Sequence, residues 1–169
     1  MSGPLIVTAE LGAADFAWLD EQRRAYFPSE RNRLPAHLTL FHALPPSLES
    51  EVRHRLADVA TSAPPHASIS GLINLGRGTA YRVHAPELEA MRASLAEAFH
   101  GMLTAQDGAG WRPHVTIQNK VAPEEARRLR ERLEREFRPR PLAIAGVALH
   151  EYVGGPWRPL GRWAFRGPS

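Results

Sequence analysis

The chain has 169 residues, 43% of them apolar, a formal net charge of +3 and no cysteine. That length and apolar content suit one domain, or two small lobes folded as one, and the missing thiols exclude disulfides, thiolate metal sites and cysteine nucleophiles. No apolar run approaches the roughly 18 residues of a spanning helix and the N-terminus has no basic-then-apolar leader, so no membrane partner and a cytoplasmic location are expected.

In chain order, residues 4–11 read as a strand around Leu5, Ile6 and Val7. Phe16, Leu19, Arg23 and Tyr26 or Phe27 then fall at helical spacing until Pro28 stops the pattern. A loop carrying Arg31 and Arg33 leads to a strand over residues 36–44. Pro45-Pro46 ends it, and Ser47 is the expected N-cap of a helix with Leu48, Val52, Leu56 and Val59 on one face. Two strands, 67–75 and 79–85, are joined by Gly76-Arg77-Gly78 as a hairpin. The second half opens on a helix from Pro86 to about Leu103, with Leu88, Met91, Leu95, Phe99 and Met102 on one side. A flexible loop over 106–110 and Trp111-Arg112-Pro113 precede the next strand. Pro123 sits at the first position of a helix whose stripe is Ala126, Leu129, Leu133 and Phe137, with Glu124–Arg128 and Glu131–Arg135 as ion pairs. Strands over 142–153 and 157–165 close the chain around Gly154-Gly155-Pro156.

One pattern occurs twice, 77 positions apart: His37-Leu38-Thr39-Leu40 and His114-Val115-Thr116-Ile117. Composition alone predicts about 0.05 such matches. On a strand, alternate side chains share a face, so each copy turns a histidine and a hydroxyl one way and two aliphatic residues the other. Helix, motif strand, helix and further strand occur in both halves, an internal repeat of architecture. The expected fold class is therefore α+β and bilobal: two pseudo-symmetric lobes of antiparallel sheet, helices on the outer faces and a central cleft where the motif strands meet. The halves fall at about 1–85 and 86–169, with strand exchange between lobes allowed.

Two imidazoles that titrate near neutrality could act as base and acid at one phosphorus atom, with Thr39 and Thr116 donating to its oxygens. A single histidine on a strand is usually structural; two copies in matching contexts reverse that reading. His42 falls on the opposite face from His37 and is expected to be structural. Of the 21 cations only Lys120 is a lysine, and arginine's planar fork suits phosphate, although genome base composition accounts as well for the arginine count as a whole. Phe41 and Gln118 continue the two motif faces, Phe41 as a stacking surface for a base and Gln118 as a phosphate or sugar contact. Arg33 and Arg112, in the loops before the motifs, are candidates to neutralise phosphate, with a packed aromatic or a solvated loop cation as the plainer alternative in each case. A zinc site would need a third protein ligand that neither motif supplies. A nucleotide-binding module without catalysis, or a helix-mediated interaction protein built on the Arg-rich stretch 127–140, are the readings from other classes.

The twin motif in a chain of this size resembles the two-histidine (2H) phosphoesterase superfamily, in particular bacterial proteins of the 2′-5′ RNA ligase and RNA 2′,3′-cyclic phosphodiesterase type. The resemblance implies a metal-independent and cofactor-free enzyme that opens cyclic phosphates at RNA 3′ ends or on small nucleotides, with some members catalysing the reverse ligation. It implies catalytic imidazoles at His37 and His114 and phosphate-binding hydroxyls at Thr39 and Thr116. The base is the less decided role, with His114 slightly favoured. The partners expected are an RNA 3′ end or a small cyclic nucleotide, and the protein is expected to act as a monomer.

Overall fold

The computed structural model describes residues 2–168, in the order β1 (Leu5–Leu11), α1 (Ala13–Tyr26), β2 (Leu38–Leu44), α2 (Glu49–Val59), β3 (His66–Asn74), β4 (Thr79–His84), α3 (Pro86–Ala98), α4 (Ala105–Gly108), β5 (His114–Gln118), α5 (Pro123–Glu136), β6 (Arg140–Tyr152) and β7 (Trp157–Ala164). The strands form a seven-stranded antiparallel sheet ordered β2-β1-β6-β3-β4-β5, with β7 also on β6. The fold is α+β, as the sequence pattern implies. Its strand pairing interleaves the two halves of the chain. β6 carries the exchange: its residues 144–151 pair with β1, 146–152 with β7, and 140–143 with β3.

The motif strands β2 and β5 therefore occupy the two ends of the sheet order, yet they lie in contact with each other. Their aliphatic residues explain why they bury. Leu38 and Leu40 are 0% and 1% exposed, and Val115 and Ile117 are both 0% exposed. Burying a side chain of this kind contributes about 1.5–3 kcal/mol, so four of them fix which face of each strand turns inward.

Edge strands leave main-chain groups unpaired, a liability that must be covered. Here side chains from across the molecule cover it. Arg92 of α3 donates through Nε to Leu40 O (3.1 Å) and through a terminal nitrogen to Asp107 O (2.7 Å). Trp111 Nε1 donates to Thr39 O at 3.0 Å. Farther along β2, the N–H groups of His42 and Ala43 donate to the two carboxylate oxygens of Asp107 at 2.8 and 2.9 Å. On the other motif strand, Arg23 of α1 donates to Thr116 O at 3.0 Å and holds Asn32 Oδ1 at 2.8 Å. Each arginine lies over an aromatic ring: Arg92 is 4.3 Å from the centre of Phe41, and Arg23 4.4 Å from that of Phe27.

Several local expectations change. The α3 helix stops at Ala98 rather than near Leu103, because Gly101 turns the chain with a positive φ of 84° that other residues avoid; Met102 is left 43% exposed. Residues 105–108 form a helical turn where a flexible loop is expected, with Thr104 Oγ1 accepting from Asp107 N–H at 3.2 Å. Ser47 does not cap α2: it sits inside a short 3₁₀ turn, Pro46–Leu48, that leads into the helix. On α5 the close pairs are Arg127 with Glu124 (3.9 Å) and Arg130 with Glu134 (4.0 Å), in place of those expected from spacing.

Replacing Arg23 with methionine keeps the apolar stem and removes the donors, leaving Thr116 O and Asn32 without partners. A loss of about 2–4 kcal/mol is expected in urea denaturation; a change below about 0.5 kcal/mol would show that the edge is satisfied without it.

Candidate active site

His37 lies one residue ahead of β2, and His114 is the first residue of β5. Both rings are anchored in the same way. His37 Nδ1 meets the carbonyl oxygen of Pro35 at 2.8 Å, and His114 Nδ1 meets that of Arg112 at 2.7 Å, in each case two residues upstream. A carbonyl can only accept, so both Nδ1 atoms carry the hydrogen. In each neutral ring Nε2 then keeps the free lone pair.

His37, Thr39, His114 and Thr116 line one cavity of about 340 Å³. The outer edge of β2 supplies further walls, since Arg92, Asp107 and Trp111 line it as well. Arg112 is exposed and borders the same cavity. Arg33 is exposed and does not line it.

Phe41 and Gln118 are placed differently from their expected faces, for one shared reason. Thr39 pairs with Thr8 and Phe41 with Val7, so two steps along β2 match one step along β1. In the same way Thr116 pairs with Ala80 and Gln118 with Thr79. Each motif strand thus carries a bulge immediately after its threonine, and a bulge inverts the alternation beyond it. Phe41 is turned into the core at 0% exposure, where it meets Phe99 edge-on and supports Arg92. Gln118 is 3% exposed and faces a separate cavity between α1 and α5, with its Oε1 unpaired. The same inversion brings His42, expected on the opposite face, to the wall of the site cavity.

Sequence reading also missed Trp157. At the start of β7, it lines the cavity and packs edge-on to His37, with ring centres 4.8 Å apart. It lies 120 residues from His37 and carries no motif, so only the pairing of β7 with β6 reveals it. Trp111 and Arg92 had weaker signals: an aromatic residue just before the second motif, and an arginine on the buried stripe of a helix.

The cavity wall carries both signs of charge, with Arg92 and Arg112 as cations and Asp107 as a carboxylate. Burial pushes His37 down to about 4, against its hydrogen bond to Pro35 O, and the neighbouring Arg23, His42 and His114 act in the same direction as burial. His37 is therefore neutral at physiological pH. Burial alone would raise the Asp107 carboxyl, but hydrogen bonds from the His42 ring, the His42 N–H and the Ala43 N–H outweigh it and hold it below its usual range. Among the described residues, no group of three or more His, Cys, Asp or Glu side chains is placed to hold a metal ion. No described helix is long and apolar enough to cross a membrane.

Comparison with known proteins sets this geometry in context. A family model described as the 2′-5′ RNA ligase superfamily matches residues 12–156. No curated protein matches the sequence. Among solved structures, TT0787 of Thermus thermophilus is 17% identical with a TM-score of 0.66, covering 98% of this chain and 100% of that one. E. coli LigT complexed with 3′-AMP is 16% identical with a TM-score of 0.65, covering 98% and 99%. A structure described as a phosphoesterase is 17% identical with a TM-score of 0.63, covering 98% and 99%. At such identities the likeness is one of fold.

The depressed carboxyl of Asp107 has a consequence for stability. Its contribution is fully present above the unfolded-state pKa of about 3.9 and is lost as pH falls through the lower folded value. Asp107→Asn is expected to cost about 1–3 kcal/mol at pH 7 and to flatten the acid limb of stability against pH. An acid limb identical to that of the parent protein would contradict this assignment.

Proposed function

The chain belongs to the 2′-5′ RNA ligase superfamily, and from that premise we propose that it is a metal-independent phosphoesterase opening 2′,3′-cyclic phosphate at an RNA 3′ end or on a related nucleotide. Membership brings phosphoesterase or RNA-ligase chemistry as the general expectation. The observation that carries the narrower reading is the matched anchoring of His37 and His114, two imidazoles with Nδ1 bound to carbonyls and Nε2 free on one cavity that also holds Thr39 and Thr116. E. coli LigT is crystallised with 3′-AMP and with ATP, which supports a nucleotide as the ligand class.

In this reading the phosphoryl group sits between the two threonines, whose hydroxyls donate to its non-bridging oxygens. Arg112 at the mouth offsets the remaining charge. Water attacks phosphorus in line with the bond to O3′. A neutral imidazole takes the water proton at Nε2 while the P–O3′ bond breaks, and a protonated imidazole delivers its Nε2 proton to the leaving O3′, so the product is a 2′-phosphate. The low pKa of His37 makes it the neutral partner in the free protein. That favours His37 as base and His114 as acid, in place of the slight preference for His114 as base that sequence alone gives. The same two groups, in the same roles, serve attack by a hydroxyl of a second strand in place of water, which is the ligation direction; cleavage of the linkage so formed exchanges the roles.

Hydrolysis of 2′,3′-cyclic AMP in EDTA tests the reading. The wild type is expected to turn over, and His37→Ala and His114→Ala are each expected to lose about 10²–10⁴ in kcat/KM. Sensitivity to EDTA would point to metal, and binding without turnover to a non-catalytic module. The pH profile tests the assignment of roles. Because the base must be unprotonated, kcat/KM is expected to rise as pH passes upward through about 4, where His37 deprotonates. A fall through that range would give His37 the acid role.

A further inference from the structure

A second cavity, of about 510 Å³, adjoins the first. His37 and Trp157 line both, so the two chambers share a wall. The second is bounded by β1, β6 and the start of α1, and much of its surface is apolar: Ala9, Leu11, Ala13, Phe16 and Ala148. Its polar groups are already paired. Thr8 Oγ1 and His150 Nε2 are 3.0 Å apart, and Arg162 clasps Glu10 with two bonds of 2.6 and 2.7 Å.

These features select among the parts of a nucleotide. Glu10 and Arg162 neutralise each other, and burial shifts His150 toward its uncharged form, so the chamber's lining presents no unpaired arginine or lysine to a second phosphate. It does offer an indole on the wall it shares with the first cavity, in contact with both His37 and His150, whose ring centres lie 4.8 and 5.3 Å from that of Trp157. A flat, uncharged heterocycle is the group that gains most from such walls, through stacking and burial of its faces. The Thr8–His150 and Glu10–Arg162 pairs then present fixed donors and acceptors to its edge. Phe41, the aromatic residue that the motif strand itself could have offered, is buried and out of reach.

We propose that this second chamber is a nucleobase site, with Trp157 as its stacking surface, taking the base of the nucleotide whose phosphate lies between Thr39 and Thr116. The proposal rests on the phosphoesterase reading for the position of the phosphate, but not for the chamber's own chemistry.

The test compares 2′,3′-cyclic AMP with glycerol 1,2-cyclic phosphate, which has no base, on the wild type, Trp157→Ala and Ala145→Trp. Ala145 lines the chamber from an exposed position, so a bulky side chain there fills the space without entering the core. Stacking of a base on an aromatic side chain supports a change of about tenfold or more. The ratio of kcat/KM for the nucleotide over that for the glycerol ester is expected to fall by at least that factor in both variants, mainly through KM. Calorimetric binding of 2′-AMP and of glycerol 2-phosphate gives a readout independent of turnover: 2′-AMP is expected to bind more tightly, and both variants to erase the difference. If the wild type hydrolyses neither ester while that binding pattern holds, the phosphoesterase reading fails and the base site stands. An unchanged ratio in the two variants, or equal affinity for the two phosphates, overturns the base site; should Ala145→Trp not fold, Trp157→Ala decides.

Discussion

The site depends on how two edge strands are finished. β2 and β5 end the sheet order, and neither has a further strand to complete its outer side. Arg92 and Trp111, from the segments before β5, close the edge of β2, and Arg23, from the helix before β2, closes the edge of β5. The exchange is reciprocal, and it ties the position of each motif to an element that precedes the other. Pairing through side chains rather than a strand leaves room beside the motifs, and that room is the cavity. The arrangement also brings buried positive charge close to His37, because the guanidinium of Arg23 remains ionised under any ordinary condition.

Much of this was legible in the sequence, and the exceptions have identifiable causes. Periodicity located the helices and strands because most bury one face, and the twin His-x-Thr-x pattern carried the site because a strand's alternation is exact over four residues. It stops being exact at the bulges. Counting by twos from His37 through Thr39 to Phe41 assumes an unbroken ladder, and the extra residue in each motif strand sends Phe41 and Gln118 inward while bringing His42 out. A bulge depends on the partner strand, which no local pattern reports. The turn at 105–108 was hidden for a related reason: its order comes from Thr104 capping it and Asp107 binding β2, while its composition is that of a loop. Trp157 joins the site through β7, a strand whose place follows only from pairing to β6.

The two histidines are equivalent in covalent setting and anchoring, and unequal in environment. Their shared bond to a carbonyl two residues upstream fixes the tautomer, so the difference between them arises from surroundings rather than orientation. Burial, in part against Trp157, favours the neutral form of His37, and the nearby Arg23 acts in the same direction. An acid and a base can be made from one residue type in this way, without a third residue to distinguish them. Trp157 joins that asymmetry to the proposed base site, because it forms part of the wall of the second chamber as well.

The account turns on two Nε2 atoms facing one phosphorus. Long-range ¹H–¹⁵N NMR of the imidazole side chains, followed as 2′-AMP is added, examines it directly. The Nε2 signals of His37 and His114 are expected to shift together with a single dissociation constant, while both Nδ1 atoms stay protonated. A response at one ring alone, or tautomers in which either Nδ1 is bare, would contradict it.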